Sequence, residues 1–198
     1  MKYPTFFDTT KSITLYDPLS HVLGAFDDGI ITFSYLDVVK NAGHSCPTIV
    51  GAYLMVREGL KALYPNAIPE RGAIKVFFKE AQNEGTTGVV ANVFSLITGA
   101  TDTWGFKGLN GRYVRKDLMA FSASMPPLYV RMQRKDTEAF VDVAYNPNSI
   151  EIDPLVQSLM QKLFTETLNE EEKVTFGRLW QARVAKILEY FDKVITIK

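Results

Sequence analysis

Between Thr48 and Leu63 the chain places Ile49, Val50, Tyr53, Leu54, Val56, Leu60 and Leu63 at helical spacing. That apolar face is too broad for a helix lying on a protein surface, so the helix has to be covered on more than one side. Any fold open to this sequence must therefore build layers around it. Pro65 and Pro69 end the helix. Pro47 opens it, because proline has no N–H to leave unpaired in the first turn and its φ is already helical.

The residues at that opening are Gly43-His44-Ser45-Cys46-Pro47. Cys46 is the only cysteine among 198 residues and His44 is one of two histidines. Free N–H groups and the dipole at a helix start favour negative charge, which lowers the pKa of a nearby thiol and favours the thiolate that binds metals or attacks electrophiles. Gly51 and Ala52 follow one turn later and admit close approach by another backbone or a ligand. A lone cysteine is most often a small buried hydrophobe. The case for chemistry rests on the two residue types standing together at a helix mouth.

Three roles compete. His44 and Cys46 suit a divalent transition metal, zinc first and nickel or iron next, but catalytic zinc usually has three protein ligands. The third would come from Glu80, Glu84, Asp102, Asn92 or a second copy of the chain. A non-enzymatic pocket recognising a small molecule is the second role. A cysteine nucleophile with His44 as base is the weakest, since neighbours two apart at a helix start rarely aim at each other and the other histidine, His21, is distant. Zinc-deaminase and thioredoxin-like patterns are absent for want of further cysteines.

Residues 1 to 12 read as an arm, and Asp17-Pro18 as the cap of a short helix ending at Gly24. Gly29 to Tyr35 reads as a short strand and Tyr35 to Lys40 as a helix. Strands are expected at 73–78, 118–122, 128–133 and 138–144, with the last two forming a hairpin. A second apolar helix spans Thr87 to Thr98, with Asn92 and Ser95 as polar positions; a buried Asn92 would need a backbone partner or a ligand. Glycines 99, 105, 108 and 111 surround Trp104, Phe106 and Lys107, a composition shared by substrate lids and ordinary long turns. Helices at 153–168 and 170–195 close the chain, the latter capped by Asn169. The expected fold is one α+β globule with helices on a mixed sheet: residues 1–150 hold the site and 151–198 form a C-terminal helical extension.

Twenty-two basic residues balance twenty-two acidic ones, so no global field draws the chain to nucleic acid. The first residues lack a signal-peptide pattern and no apolar run would span a bilayer, which points to a cytoplasmic protein. The broad face of the main helix and a stripe of Trp180, Val184, Ile187, Leu188 and Phe191 suggest a homodimer.

AGHSCPTIVGAYLM resembles the HGHxCPG-type motif of the FmdE family, which comprises accessory subunits of formylmethanofuran dehydrogenase and their stand-alone relatives, and ANVFSLITGAT resembles that family's second helix. The resemblance runs from about residue 20 to 122. It implies an α+β domain, usually dimeric, with a transition metal at His44 and Cys46. Ala42 stands where the family has a first histidine and Asn92 where it has an aspartate, and the family's cysteine-rich C-terminus has no counterpart. Dehydrogenase activity does not follow, since that chemistry belongs to a cofactor carried elsewhere.

Overall fold

The computed structural model describes residues 2–125 and 129–198. Helix α4 (Pro47–Leu63) lies across one face of a mixed sheet and organises the core. The sheet has the order β4-β3-β5-β6-β7, from β3 (Ile74–Phe78), β4 (Met119–Ala120), β5 (Tyr129–Arg134), β6 (Phe140–Tyr145) and β7 (Ile195–Ile197). Only β3 and β4 run parallel; the other neighbours are antiparallel. The expected α+β fold, the four strands in one sheet and the hairpin are all present, and Leu128 of the expected third strand lies outside the described residues. The fifth strand was not expected. The helix read as continuing to residue 195 ends at Glu189, and after the short α8 (Phe191–Val194) the chain turns extended and pairs with β6.

Around α4 pack α3 (Tyr35–Ala42), α5 (Thr87–Thr98) and α7 (Glu170–Glu189). Ile49, Val50, Tyr53, Leu54, Val56 and Leu60 are all but excluded from solvent, as the width of the apolar face demands. The arm carries a one-turn helix, α1 (Phe6–Thr9), whose Phe7 is buried in an edge-to-face contact with Tyr35. It leads into β1 (Ile13–Tyr16), which pairs with β2 (Ile30–Phe33) as a separate two-stranded sheet enclosing α2 (Pro18–Val22). Helix α6 (Pro154–Thr165) contacts the rest mainly through α7.

Two glycines let α4 touch the sheet. A Cβ on Gly51 would collide with the ring of Tyr145 at the end of β6, and one on Gly59 would collide with Met132 of β5 and lie 3.1 Å from Val143 of β6. Tyr145 is held by its own hydrogen bond to the Pro47 carbonyl, 2.8 Å, so it has little freedom to yield.

A buried ionic clamp ties the small sheet to the large one. Asp17, 4% exposed, caps α2 through the Leu19 and Ser20 N–H groups. It also accepts from Arg115 Nη2 at 2.6 Å and from Arg71 Nη1 at 3.0 Å. Arg71 in turn donates to the carbonyls of Leu96 and Ile97 at the end of α5. Burial alone would raise the Asp17 pKa, but the hydrogen bonds from Arg71 and Ser20 and the charges of Arg115 and Arg71 outweigh it and hold the carboxyl below its ordinary value.

Two outcomes follow for stability. Gly51→Ala should destabilise by about 1–3 kcal/mol through overpacking on Tyr145, whereas Gly177→Ala on the open face of α7, with nothing near its would-be Cβ, should stabilise by about 0.5–1 kcal/mol; urea unfolding measures both. Asp17→Asn keeps a capping side chain but leaves two guanidinium groups without their counter-charge, at a cost of about 3 kcal/mol near neutral pH. Because the folded Asp17 ionises below the unfolded value of about 3.9, its contribution is complete above that value and is lost as pH falls through the folded one. The stability gap between wild type and Asp17→Asn should therefore hold from neutral pH down to about 4 and narrow only below that, as pH falls towards and past the folded value.

Candidate functional site

The motif Gly43–Pro47 forms the turn between α3 and α4. Gly43 ends α3 in the left-handed region (φ 76°) with its N–H on the Val39 carbonyl, a conformation that favours glycine. Cys46 takes the N-cap position of α4 in extended backbone, and its side chain makes no capping hydrogen bond. It is partly buried, while His44 is exposed. His44 Nδ1 lies 3.1 Å from the Ala42 carbonyl. A carbonyl can only accept, so that bond places the proton of the neutral ring on Nδ1 and leaves the lone pair on Nε2.

The mouth is closely lined by the protein itself. Ser45 is buried, its hydroxyl 2.9 Å from Tyr35 Oη, and its carbonyl accepts from Trp180 Nε1 at 3.1 Å and Gln181 Nε2 at 3.0 Å, both on α7. Tyr145 covers Gly51 and bonds the Pro47 carbonyl. Burial pushes the Tyr35 and Tyr145 phenols above their ordinary range, the Ser45 hydrogen bond opposing it at Tyr35 and the Arg183 charge at Tyr145, with nearby Cys46 adding to the rise at both. Both phenols are therefore neutral at physiological pH and serve as hydrogen-bonding groups. The close approach that Gly51 permits is used by Tyr145.

The other expected site residues do not gather here. Among the described residues no group of three or more His, Cys, Asp and Glu side chains is placed to hold a metal ion, so His44 and Cys46 remain two donors without a third from the same chain. Asn92 is exposed on α5 and needs no buried partner, because that helix buries only Ala91, Val93, Phe94, Ile97 and Thr98. Glu84 is exposed and accepts from the Ala81 N–H, while Glu80 and Asp102 are half-buried. The glycine-rich loop is closed on itself: the one Thr101 hydroxyl proton is shared between the carbonyls of Trp104 and Arg115, and the Arg115 N–H bonds the Phe106 carbonyl. Trp104 is 56% exposed and Lys107 is also solvent-facing.

A broad cleft lies at the other end of α4. About 690 Å³ in volume, it opens between the arm and β1 on one side and the last turns of α4 and α7 on the other. Phe6, Ile13, Leu60, Leu188 and Phe191 supply apolar wall; Thr9, Thr10, Lys11, Ser12, Lys61 and Tyr64 supply polar groups. Arg57 and Glu58 stand there as a pair at 2.6 Å, their side chains 13% and 12% exposed, with the Arg57 guanidinium 4.8 Å from the Phe191 ring centre. Little in the sequence marks this cleft, since its walls come from segments about 45 and 130 residues apart. The adjacent Arg57-Glu58 pair on a greasy helix was the one local signal.

No family model matches the chain, and no curated protein matches it.

The hydrogen bonds that hold the turn beside Cys46 are open to direct test. Trp180→Phe with Gln181→Leu removes both donors to the Ser45 carbonyl at similar volume, and two hydrogen bonds of roughly 1 kcal/mol each correspond to about a tenfold or greater rise in local opening. Alkylation of Cys46 by iodoacetamide should accelerate by about that factor in the double variant, while circular dichroism stays that of wild type.

Proposed function

We propose that the protein is a non-enzymatic small-molecule-binding module whose ligand occupies the cleft between the arm, the back half of α4 and the end of α7. The observation that carries this reading is the cleft's size and make-up. Its volume of about 690 Å³ lies within the usual range for small-molecule sites, and an apolar wall with a few convergent polar groups is their common form. The Arg57–Glu58 pair offers donors and an acceptor from one fixed point, which suits a partly apolar molecule with a polar group at one end. Resemblance to an accessory protein whose complex keeps its redox chemistry elsewhere agrees with a binding role. The single cysteine leaves no internal disulfide, which suits a reducing, cytoplasmic setting.

A second reading keeps the metal. His44 Nδ1 on a backbone carbonyl is the outer support that metal-ligating histidines usually have, leaving Nε2 free as a donor. Since no third donor joins them among the described residues, the ion, zinc first and nickel or iron next, would sit between two copies, and this reading requires a homodimer. The surfaces that suggested dimerisation are otherwise used: the α4 face is covered, and Trp180 is bonded to Ser45. Exposed apolar side chains remain on α6 and α7, among them Phe164 at 80% and Val174 at 71%.

The cleft is tested by a thermal-shift and ligand-observed NMR screen of partly apolar metabolites on wild type, Ala67→Trp and Ala185→Phe. Both substitutions add bulk to the lining of the cleft. Compounds that stabilise wild type but neither variant are expected; the same response in all three proteins, or none from wild type, would sink the proposal. Metal per protomer of untagged protein, with sedimentation at micromolar concentration, decides the second reading. A metal-loaded dimer that loses both metal and association on Cys46→Ser supports it, and a metal-free monomer after reconstitution rejects it.

A further inference from the structure

We infer that the protein binds a tetrahedral oxyanion, inorganic phosphate or the phosphate group of a monoester, in the pocket over Arg115 where Arg71, Arg112 and Lys135 converge. This pocket is small, about 210 Å³, and is separate in its lining from the cleft proposed above. Arg115 is 6% exposed and its Nη2 bonds Asp17, yet its Nε and Nη1 are shielded from solvent without a hydrogen-bond partner among the described residues. Buried donors left unpaired are costly, more so on a charged group, so an acceptor that is not part of the chain is called for.

Asp17 does not supply it, since its carboxylate meets Arg115 only through Nη2. Its Oδ1 already accepts from Leu19 N, Ser20 N and Arg115 Nη2, and its Oδ2 from Arg71 Nη1. Charge leads to the same conclusion. Arg71, Arg112, Arg115 and Lys135 line the pocket against one lining carboxylate, Glu70, with Asp17 behind it. A cationic surplus of that size matches a dianion. Planar guanidinium forks also suit the oxygen spacing of phosphate.

The donors are held in place before any ligand arrives. Gly72 (φ 86°) lies so close to Arg115 Nη1 that a Cβ would collide with the guanidinium, and its carbonyl takes the Lys135 ammonium at 3.3 Å. Arg112 is exposed at the rim and makes no ion pair among the described residues. A buried arginine with exposed cations at the rim is an arrangement that a bound anion completes. The competing occupant is a buried water, which would pair the N–H groups but leave the charge uncompensated.

The test uses inorganic phosphate and phenyl phosphate, titrated at low ionic strength by calorimetry and by ³¹P line width, against wild type and the double variant Arg112→Gln with Lys135→Gln. Both substituted residues are exposed, so the fold should survive, which an unchanged melting temperature without phosphate will confirm. Saturable one-site binding to wild type is expected, with sulfate competing and affinity falling at least about tenfold in the double variant, as loss of charge-assisted bonds requires. Binding of phosphate alone assigns the free anion, and tighter binding of phenyl phosphate assigns a monoester. No saturation of wild type by ligand on the order of 10 mM, or equal affinity in wild type and the double variant, would overturn the inference and leave water as the occupant.

Discussion

Helix α4 meets the sheet at backbone distance, and most of the architecture follows from that approach. Gly51 and Gly59 stand eight residues apart, close to the same side of the helix. Each receives a side chain from the sheet, Tyr145 at one and Met132 at the other. Two points of contact fix both the position and the tilt of the helix. With that side occupied, the rest of its apolar girth has to be covered by α3, α5 and α7. From Ile49 to Val56 the helix is consequently buried all round, and its functional possibilities are confined to its two ends.

Those ends have opposite character. At the N-terminal end, Tyr35, Tyr145, Trp180 and Gln181 bond the Ser45 hydroxyl, the Ser45 carbonyl and the Pro47 carbonyl. Polar groups of the turn thereby find partners inside the protein, and the space over Gly51 is filled. At the C-terminal end, Arg57 and Glu58 pair with one another beside a cleft that no side chain fills. The C-terminal segment contributes to both: Trp180 and Gln181 lie on the mouth, and Leu188 and Phe191 line the cleft. Strand β7 then adds to the sheet edge. Residues beyond 150 are thus built into the same globule as the motif.

Local chemistry was legible in the sequence, and distant pairing was not. Asp17, Ser34 and Asn169 sit where caps were read or helices were expected to start, because a capping side chain bonds N–H groups two or three residues away. Pro47 opens α4 for an equally local reason. The partner of Gly51 could not be read: a glycine on a helix advertises a close approach without saying whether a ligand or a tyrosine 94 residues later makes it. Asn92 misled for a related reason. On a helix whose residues are mostly apolar it reads as buried, yet only one side of α5 is covered. Strand β7 was hidden because three residues, Ile195 to Ile197, are too few to show an alternation against the helical pattern before them.

The motif shows how far spacing can carry chemistry. His44 and Cys46 occupy the helix mouth that the sequence assigns them, and the Ala42 carbonyl orients the imidazole. Binding a metal there requires donors to converge from other elements, and convergence belongs to the tertiary structure. In this chain the elements that reach the mouth bring phenols, an indole and an amide. Neutral phenols and N–H donors satisfy carbonyls well and are poor partners for a divalent cation, which needs deprotonated or lone-pair donors. The same α7 side chains that complete the turn's hydrogen bonds therefore occupy approaches that metal ligands would have needed. A metal at this mouth is then a matter for the face of His44 that remains open to solvent, and that face is accessible to a second molecule.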